Sequence, residues 1–441
     1  MKPRYPLRLG RIRNLFPDLS KPWTAGLLAL VSTGLFISPG AWAQLGPCES
    51  AFITQSQATL ALVDSNAFAQ WQKWEREANV KMHRIDKAEV AIPFSGVARS
   101  EVDIQTIGAF GDLPQNLREF LFHGENVIWP HHPFNQSANV PFLNLEKRGT
   151  LRGGPTASRS LVLKKGSFLR YSIKLPTDTV HENLPGLEGA KIRTEDDIGT
   201  AITRATYIQA RDRRLGPDPS FAILFDSLTV ADKRTGRGFL LRDLSRLDDG
   251  HYYLPAFAIP WVGREIAAHN GMEFSAFWQK HYAEAIGAIK ARLLVRYGLQ
   301  MESPNAQNFL IQLDRNLRPT GLILIRDISD TRFVDIVAKG LDVSDLILID
   351  VRNGAGVDFN VEPFWQNTFM YFDQAHEIGR NLSVPNPTLR SWGKAHNQAF
   401  TDQLTRETGL PFQMGAYENA AYPVYRVFET EEGQAALKRL R

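Results

Sequence analysis

Asn308, Arg326 and Asp327 are the residues whose types and spacing point most directly to chemistry. Two short apolar runs, Phe309 to Leu313 and Gly321 to Ile325, flank a polar stretch containing Pro319, and the pattern predicts an antiparallel hairpin. A register that sets Leu313 opposite Gly321 brings Asn308 opposite Arg326 and beside Asp327. One end of the hairpin then gathers an amide, a guanidinium and a carboxylate. Mg²⁺ takes hard oxygen ligands from one or two side chains and the remainder from phosphate and water, so this trio suits a Mg²⁺–phosphate site.

Other chemistries fit less well. A kinase-type use of the same hairpin needs an Asp five residues before Asn308, where Ser303 stands, and Phe-Gly after Asp327, where Ile328-Ser329 stands. His181-Glu182 and His376-Glu377 lack the second His of a zinc-protease helix. His131-His132 has no third ligand at a recognisable spacing and reads as a loop pair held by backbone bonds. Asn135-Gln136-Ser137 and Asn381-Leu382-Ser383 match the glycosylation pattern, which arises by chance in a chain of 441 residues. Asp327 taken alone is also an ordinary turn residue, and charged residues such as Arg159 and Lys174 are common on the open face of a half-exposed hairpin.

These residues need elements to position them. A long amphipathic helix is expected from Phe274 to Tyr297, with apolar residues at three- and four-residue steps and Gly298 just past its end. Ahead of it, Ser160 to Leu163 and Phe168 to Leu175 read as a hairpin following a Gly-Gly-Pro turn at 153–155, and 178–197 reads as a charged loop. Phe221 to Val230 and Gly238 to Leu241 read as strands joined by the turn at Lys233 to Gly236. Ser50 to Arg84 reads largely as helix, with Phe68, Trp71 and Trp74 following a cap at Ser65. Short strands and loops are expected over 100–150, one more buried strand at Leu346 to Val351, and mainly helix with aromatic-rich turns over 364–441. The fold class is α+β.

Four separated stretches, in order, resemble the IucA/IucC family of NRPS-independent siderophore synthetases. Pro130-His131-His132-Pro133-Phe134-Asn135 is similar to the family's His-Pro-Trp-Gln segment, and Pro155-Thr156-Ala157-Ser158-Arg159-Ser160 to its Pro-Thr-x-Ser-x-Arg-Thr segment. Tyr171 to Pro176 resembles its Lys-Leu-Pro strand. Tyr297-Gly298, Glu302, Asn305-Ala306-Gln307-Asn308 and Ile325-Arg326-Asp327 resemble its tyrosine-glycine, Glu-x-His-x-Gln-Asn and Arg-Asp elements. The chain departs from the pattern in carrying Asn305 in place of the histidine, Glu302 one residue too far upstream and Ser158-Arg159 one residue tighter, and it has no early His-Pro-x-His-Pro segment. The resemblance implies a cupped-hand fold, with a central antiparallel sheet as palm flanked by helical lobes. It also implies ATP with Mg²⁺ as cofactors and a citrate-like polycarboxylate joined through an acyl-adenylate to an amine or alcohol. Carried onto this chain, it places Ser158, Arg159 and Lys174 against phosphates, Asn305, Asn308 and Arg326 in the nucleotide site, Asn308 and Asp327 on Mg²⁺, and His132 toward the substrate, with Arg159, Lys174 and His132 as the catalytic set. A carboxylate attacking a phosphate is anion meeting anion, so cations must neutralise the developing charge.

The N-terminus argues about location. Lys2, Arg4, Arg8, Arg11, Arg13 and Lys21 precede an uncharged apolar run from Thr24 to Ile37, and Ala41-Trp42-Ala43 stands before Gln44. That is the anatomy of an export signal with a small-residue cleavage site, over residues 1–43. The run is shorter than the roughly 20 residues of a membrane span, although an uncleaved inner-membrane anchor is the alternative, and Pro47 before Cys48 argues against a lipid anchor. The signal holds most of the chain's basic excess, because 45 basic and 46 acidic residues remain after it, so no nucleic-acid partner is expected. With Cys48 as the only cysteine, intramolecular disulfides and cysteine metal sites are excluded, and a 43% hydrophobic content must supply the stability by packing. The expected lobes are 44–150, a nucleotide-binding β-rich core over 151–330, and a helical lobe over 331–441. An ATP-dependent synthetase belongs in the cytoplasm while the leader points outward. Three readings follow: a ligase tethered with its body inside, an exported inactive protein that binds a carboxylate-rich small molecule or siderophore, or an exported transferase using nucleotide in another cell.

Overall fold

The computed structural model describes residues 63–78, 87–133, 135, 140–156, 159–164, 170–176, 198–301, 305–343, 365, 367–373, 375–377, 380–414 and 422–441, all within one compact unit, Cys48–Arg441. The expected export signal, Ser158, Glu302, the loop at 178–197 and the strand at 346–351 lie outside them. Among the described residues no helix is long and apolar enough to cross a membrane.

The chain opens with α1 (Ala67–Ala78), whose first turn is capped by Asn66, one residue past the expected Ser65: Asn66 Oδ1 accepts from the Ala69 N–H at 3.0 Å. There follow β1 (Val90–Ala98), β2 (Val102–Thr106), α2 (Gln115–Leu121), β3 (Phe122–His123), β4 (Asn126–Pro130), β5 (Lys147–Pro155), β6 (Ser160–Leu163) and β7 (Tyr171–Lys174). Next are α3 (Ile198–Leu215), β8 (Phe221–Ile223), β9 (Asp226–Asp232), β10 (Gly238–Asp243), β11 (Tyr252–Pro255) and α4 (Ile259–His269). The expected long helix is α5 (Phe274–Trp278), one π-helical segment (Gln279–Glu284) and α6 (Ala285–Tyr297), ended by Gly298 at φ +68° as its spacing predicts. Then come β12 (Leu299–Met301), β13 (Phe309–Leu313), β14 (Pro319–Ile325), β15 (Thr331–Phe333), α7 (Asp335–Gly340) and α8 (Asn386–Thr408).

Two sheets organise the site. Nine antiparallel strands run in the order β2-β9-β10-β7-β6-β5-β1-β4-β3, and a second sheet runs β11-β13-β14-β8, in which β8 lies parallel to β14. Strand alternation gives the large sheet two different faces. Leu161, Leu163, Ile173, Leu228, Val230, Phe239 and Leu241 point into one core, while Ser160, Ser172, Lys174 and Arg242 point the other way. On that second face Val162 packs with Trp71 of α1 and with Tyr253, Leu310 and Leu324 of the small sheet. The reverse of the small sheet, through Leu254, Phe309, Ile311, Ile323 and Ile325, covers the main core with α4, α5 and α6. The central antiparallel sheet with helical layers is thus the α+β architecture anticipated.

Two local expectations change. Gly153-Gly154-Pro155 is no turn but the end of β5, where a side chain would collide: a Cβ on Gly153 would sit 2.5 Å from Ile92 Cδ1. The single strand expected over 221–230 is two strands in two sheets, because the chain leaves β8 at Leu224 and Phe225 and enters β9 at Asp226. The one mark of the crossing in the sequence is Asp226-Ser227, which interrupts the apolar run.

Helices α6 and α8 approach closely enough that a Cβ on Gly287 would lie inside the His396 carbonyl. Ala is favoured over Gly by about 1 kcal/mol in an ordinary helix. Overpacking against backbone reverses that here, and Gly287→Ala should destabilise the chain by about 1–3 kcal/mol in urea unfolding; a neutral or stabilising result contradicts the close packing.

Candidate functional site

The site forms where the second face of the large sheet meets the open end of the β13–β14 hairpin. The hairpin register is the one expected: Phe309 pairs with Ile325, Leu310 with Leu324, and Arg326 N–H donates to the Asn308 carbonyl at 3.0 Å. A bulge between Ile311 and Leu313 shifts only the far end, setting Leu313 opposite Pro319. Asp327 follows with φ +58°, a left-handed conformation that Asp tolerates better than most non-glycine residues. This turn aims its carboxylate across to the large sheet.

Lys174 and Arg242 receive it. Lys174 pairs with Leu240 across the β7–β10 ladder and Arg242 with Ser172, so both cations stand on one face two residues apart. Lys174 Nζ donates to Asp327 Oδ1 at 3.2 Å, and Arg242 Nη2 donates to the same oxygen. Arg242 also forks onto Asp226, Nε to Oδ1 at 2.9 Å and Nη2 to Oδ2 at 3.1 Å. Asp226 is there because it is the first residue after the crossing between sheets, opposite Arg242 at a bulge. Burial alone would raise the Asp327 carboxyl, but Lys174 and Arg242, with Arg326 adding to them, hold it well below the usual carboxylate range. Burial likewise works against the charge of Arg242, and Asp226 and Asp327 together raise its pKa.

Arg326, expected in the nucleotide site, is engaged by protein groups. Its Nε donates to the Gln307 carbonyl at 2.7 Å, while Nη1 and Nη2 meet Glu75 Oε1 and Oε2 at 2.8 and 3.2 Å. Glu75, on α1, is wholly buried and also accepts from Trp71 Nε1 at 3.1 Å. Arg204 on α3 donates to the Ser329 carbonyl at 2.8 Å, bracing the turn after Asp327 from the other side.

The remaining candidates are arranged around this cluster. Arg159 is 4% exposed, and its carbonyl accepts from the Leu175 N–H at 3.3 Å, fastening the β5–β6 turn to the residue after Lys174. Asn308 is buried. Asn305 uses its side chain to cap the short helical turn before Asn308, accepting from the Gln307 N–H at 3.2 Å. His132 is buried, and its carbonyl accepts from the Asn135 N–H at 3.0 Å. Asn135 Nδ2 reaches the Pro176 carbonyl at 3.1 Å, so the His132 turn is tied to the chain two residues past Lys174. His131 Nε2 lies 3.0 Å from Ser95 Oγ, and its pKa is pushed down to about 4 by burial and by Lys147, which keeps the ring neutral.

Asp226, Arg242, Arg204 and Glu75 are the members that sequence reasoning missed. The regular register of the β9–β10 hairpin would set Arg242 opposite Ser227, and only the bulge after Leu241 brings it to Asp226. Glu75 and Arg204 reach the site from helices, with no motif to mark them. Chemically, buried cations surround one ionised carboxylate whose second oxygen accepts no hydrogen bond from the described residues. Such a group can bind a polyanion, and the carboxylate can accompany a divalent cation that the polyanion brings.

No protein-family model matches the sequence, and no curated protein is similar to it. Solved structures do resemble it. Aerobactin synthetase IucC from a hypervirulent pathotype of Klebsiella pneumoniae aligns at a TM-score of 0.50 and 14% identity, over 82% of this chain and 77% of that one. ATP-bound aerobactin synthetase IucA from the same source aligns at 0.48 and 13%, over 81% and 71%, and petrobactin biosynthesis protein AsbB from Bacillus anthracis str. Sterne at 0.45 and 11%, over 88% and 70%. The alignment with IucC, over 82% of this chain at so low an identity, makes this chain a protein of siderophore-synthetase-like fold.

Proposed function

We propose that the chain is an ATP-dependent ligase that joins a citrate-like carboxylate to an amine or alcohol through an acyl-adenylate. The observation that carries this reading is Asp327 held between Lys174 and Arg242 at the mouth of the hairpin, on a fold shared with aerobactin synthetase IucC. In the first step a substrate carboxylate oxygen bonds to the α-phosphorus and the bond to the β-phosphate oxygen breaks, so pyrophosphate leaves with the electron pair. In the second, an amine or hydroxyl attacks the acyl carbon, AMP departs, and the nucleophile's proton is lost. Lys174 and the phosphate-facing cations offset the charge that builds on the α-phosphate. His132, on the turn tied to Pro176, is the residue we assign to the carboxylate end.

A Mg²⁺ ion fits the donors present. Among the described residues there is no cluster of three or more His, Cys, Asp or Glu side chains able to form an all-protein metal site. Asp327 and Asn308 instead offer one carboxylate and one amide oxygen, the set that suits an ion completed by phosphates and water. When bound, it would neutralise phosphate charge. Export by residues 1–43 is the localisation we propose. It favours a second reading, an exported binding protein without turnover, which draws on Asn305: its side chain is committed to capping where the family pattern has a histidine.

Titration of ATP with Mg²⁺ into the purified chain tests the proposal, with Asp327→Asn beside it. We expect saturable binding in the parent and at least a tenfold loss in the variant, with melting curves confirming that both are folded. Equal binding in both chains removes Asp327 from the nucleotide site. Absence of binding in either retires the ligase, and stabilisation by citrate-like acids without ATP turnover then supports the binding protein.

A further inference from the structure

The first turn of α1 borders a second, separate concentration of positive charge. A cavity of about 510 Å³ opens there, within the range of small-ligand sites, and it shares no lining residue with the Lys174–Asp327 cluster. Lys164, Arg170 and Arg315 line it, with Asp249 as the one carboxylate among the lining residues. Asp249 is largely exposed, its side chain 73% accessible. At the helix start the Ala69 N–H is taken by Asn66, whereas those of Ala67 and Phe68 have no intrahelical acceptor, and the helix dipole adds positive potential at the same point.

The two guanidiniums are fixed mainly by neutral groups. Arg170 donates to the Leu247 carbonyl at 2.5 Å and to Asp249 Oδ1 at 2.6 Å, and lies 4.4 Å from the Phe68 ring centre. Arg315 donates to the Ser65 carbonyl at 2.8 Å and to the Asp249 carbonyl, and lies 4.8 Å from the Tyr252 ring centre. Carbonyls and rings orient a guanidinium without cancelling its charge. Lys164 Nζ donates to Gln72 Oε1, and burial draws the lysine pKa down, with Glu89 and Arg76 acting in opposite senses. Glu89 is itself engaged by Arg152 at 2.7 Å.

Gln72 supplies an independent pointer. It lines the cavity at 7% exposure, spends its oxygen on Lys164, and leaves its buried Nε2 without a hydrogen-bond partner among the described residues. A third cation and an unused amide donor on the same wall are what an oxyanion requires.

We propose that this cavity binds a small, multiply charged oxyanion, with Arg170, Arg315, Lys164, Gln72 and the first N–H groups of α1 as its donors. Phosphate esters and oligocarboxylates share this chemistry. The site does not depend on the ligase reading, because none of its residues takes part in that mechanism.

Inorganic phosphate and citrate are the probes. Full-length chain should melt about 2 °C or more higher in either anion at saturating concentration than in chloride of matched ionic strength. Calorimetric titration should then show binding weakened at least tenfold by Arg170→Gln, and also by Lys164→Gln, which removes no backbone anchor and so serves if the arginine variant does not fold. Lys339→Gln, at an exposed lysine outside both the cavity and the Asp327 cluster, should leave it unchanged. Response to citrate alone assigns an oligocarboxylate, and response to phosphate alone a phosphate ester. Melting equal to that in chloride for both anions overturns the proposal, as does binding lost in Lys174→Met and kept in Arg170→Gln and Lys164→Gln, which would assign the anion to the other cluster.

Discussion

Replacing Glu75 by Gln is expected to lower the unfolding free energy by about 3–5 kcal/mol, as removal of one partner from a buried ion pair does. Gln preserves the shape and can still accept from Trp71 Nε1, so the change isolates the charge. What remains is the Arg326 guanidinium at 6% side-chain exposure with its two-point carboxylate partner neutralised. The cost falls on the fold because Glu75 stands on α1 and Arg326 at the end of β14, and their bond closes the layer between the two sheets. An exposed pair shows the contrast: Arg152 and Glu89 are joined at 2.7 Å with side chains 75% and 39% exposed, and breaking that contact should cost under about 1 kcal/mol. Urea unfolding of Glu75→Gln measures the difference. A loss below 1 kcal/mol would mean that Arg326 finds water or another acceptor, and the pair would then not be what holds the layer shut. Adding Arg326→Met to the variant should recover part of the loss, since an apolar pair avoids the unpaired buried charge.

How far the sequence foretells this site depends on whether the contacts are local. The hairpin of Asn308, Arg326 and Asp327 was legible, because two short apolar runs flank a polar loop, and its open end follows from the register that loop suggests. Helix α6 and its end were legible through a regular apolar stripe and Gly298. Lys174 was singled out by its resemblance to the family's Lys-Leu-Pro strand, though not the identity of its partner. Arg242 and Asp226 were hidden because 221–230 was read as one strand although Asp226-Ser227 breaks its apolar run, and because a bulge sets the two opposite each other. Read as a single strand in regular register, that stretch places Ser227 rather than Asp226 opposite Arg242. Helix α3 was missed because its buried stripe, with Ala201, Ile202, Ala205 and Ile208, is narrow and interrupted by charges, and its Arg204 was missed with it. Arg326 shows the converse limit. Its position was foretold and its partner was not, because Glu75 lies 251 residues away on an element with no motif.

Lys174→Met is the substitution expected to separate chemistry from folding. The other cation on Asp327 cannot do so: Arg242 is nearly buried, and its loss would leave Asp226, at 1% side-chain exposure, without its two-point partner. Lys174 is 16% exposed, and when it is removed Asp327 keeps Arg242. Met retains most of the aliphatic stem, so packing against β6 and β10 survives, and a stability loss of about 1 kcal/mol is expected from one partly buried ion pair. On the ligase reading the ammonium acts where charge develops on the attacked phosphate, and loss of one such donor costs about 10²–10³ in kcat. Adenylation should therefore fall by that factor, measured as exchange of labelled pyrophosphate into ATP with citrate present, while the melting temperature moves by only a few degrees. Exchange unchanged in Lys174→Met would leave the lysine as a counter-charge for Asp327 alone. Because Asp327 is ionised through the attraction of both cations, that result would also make its carboxylate a structural anchor between the sheets, and the polyanion site would have to be sought elsewhere on the basic face.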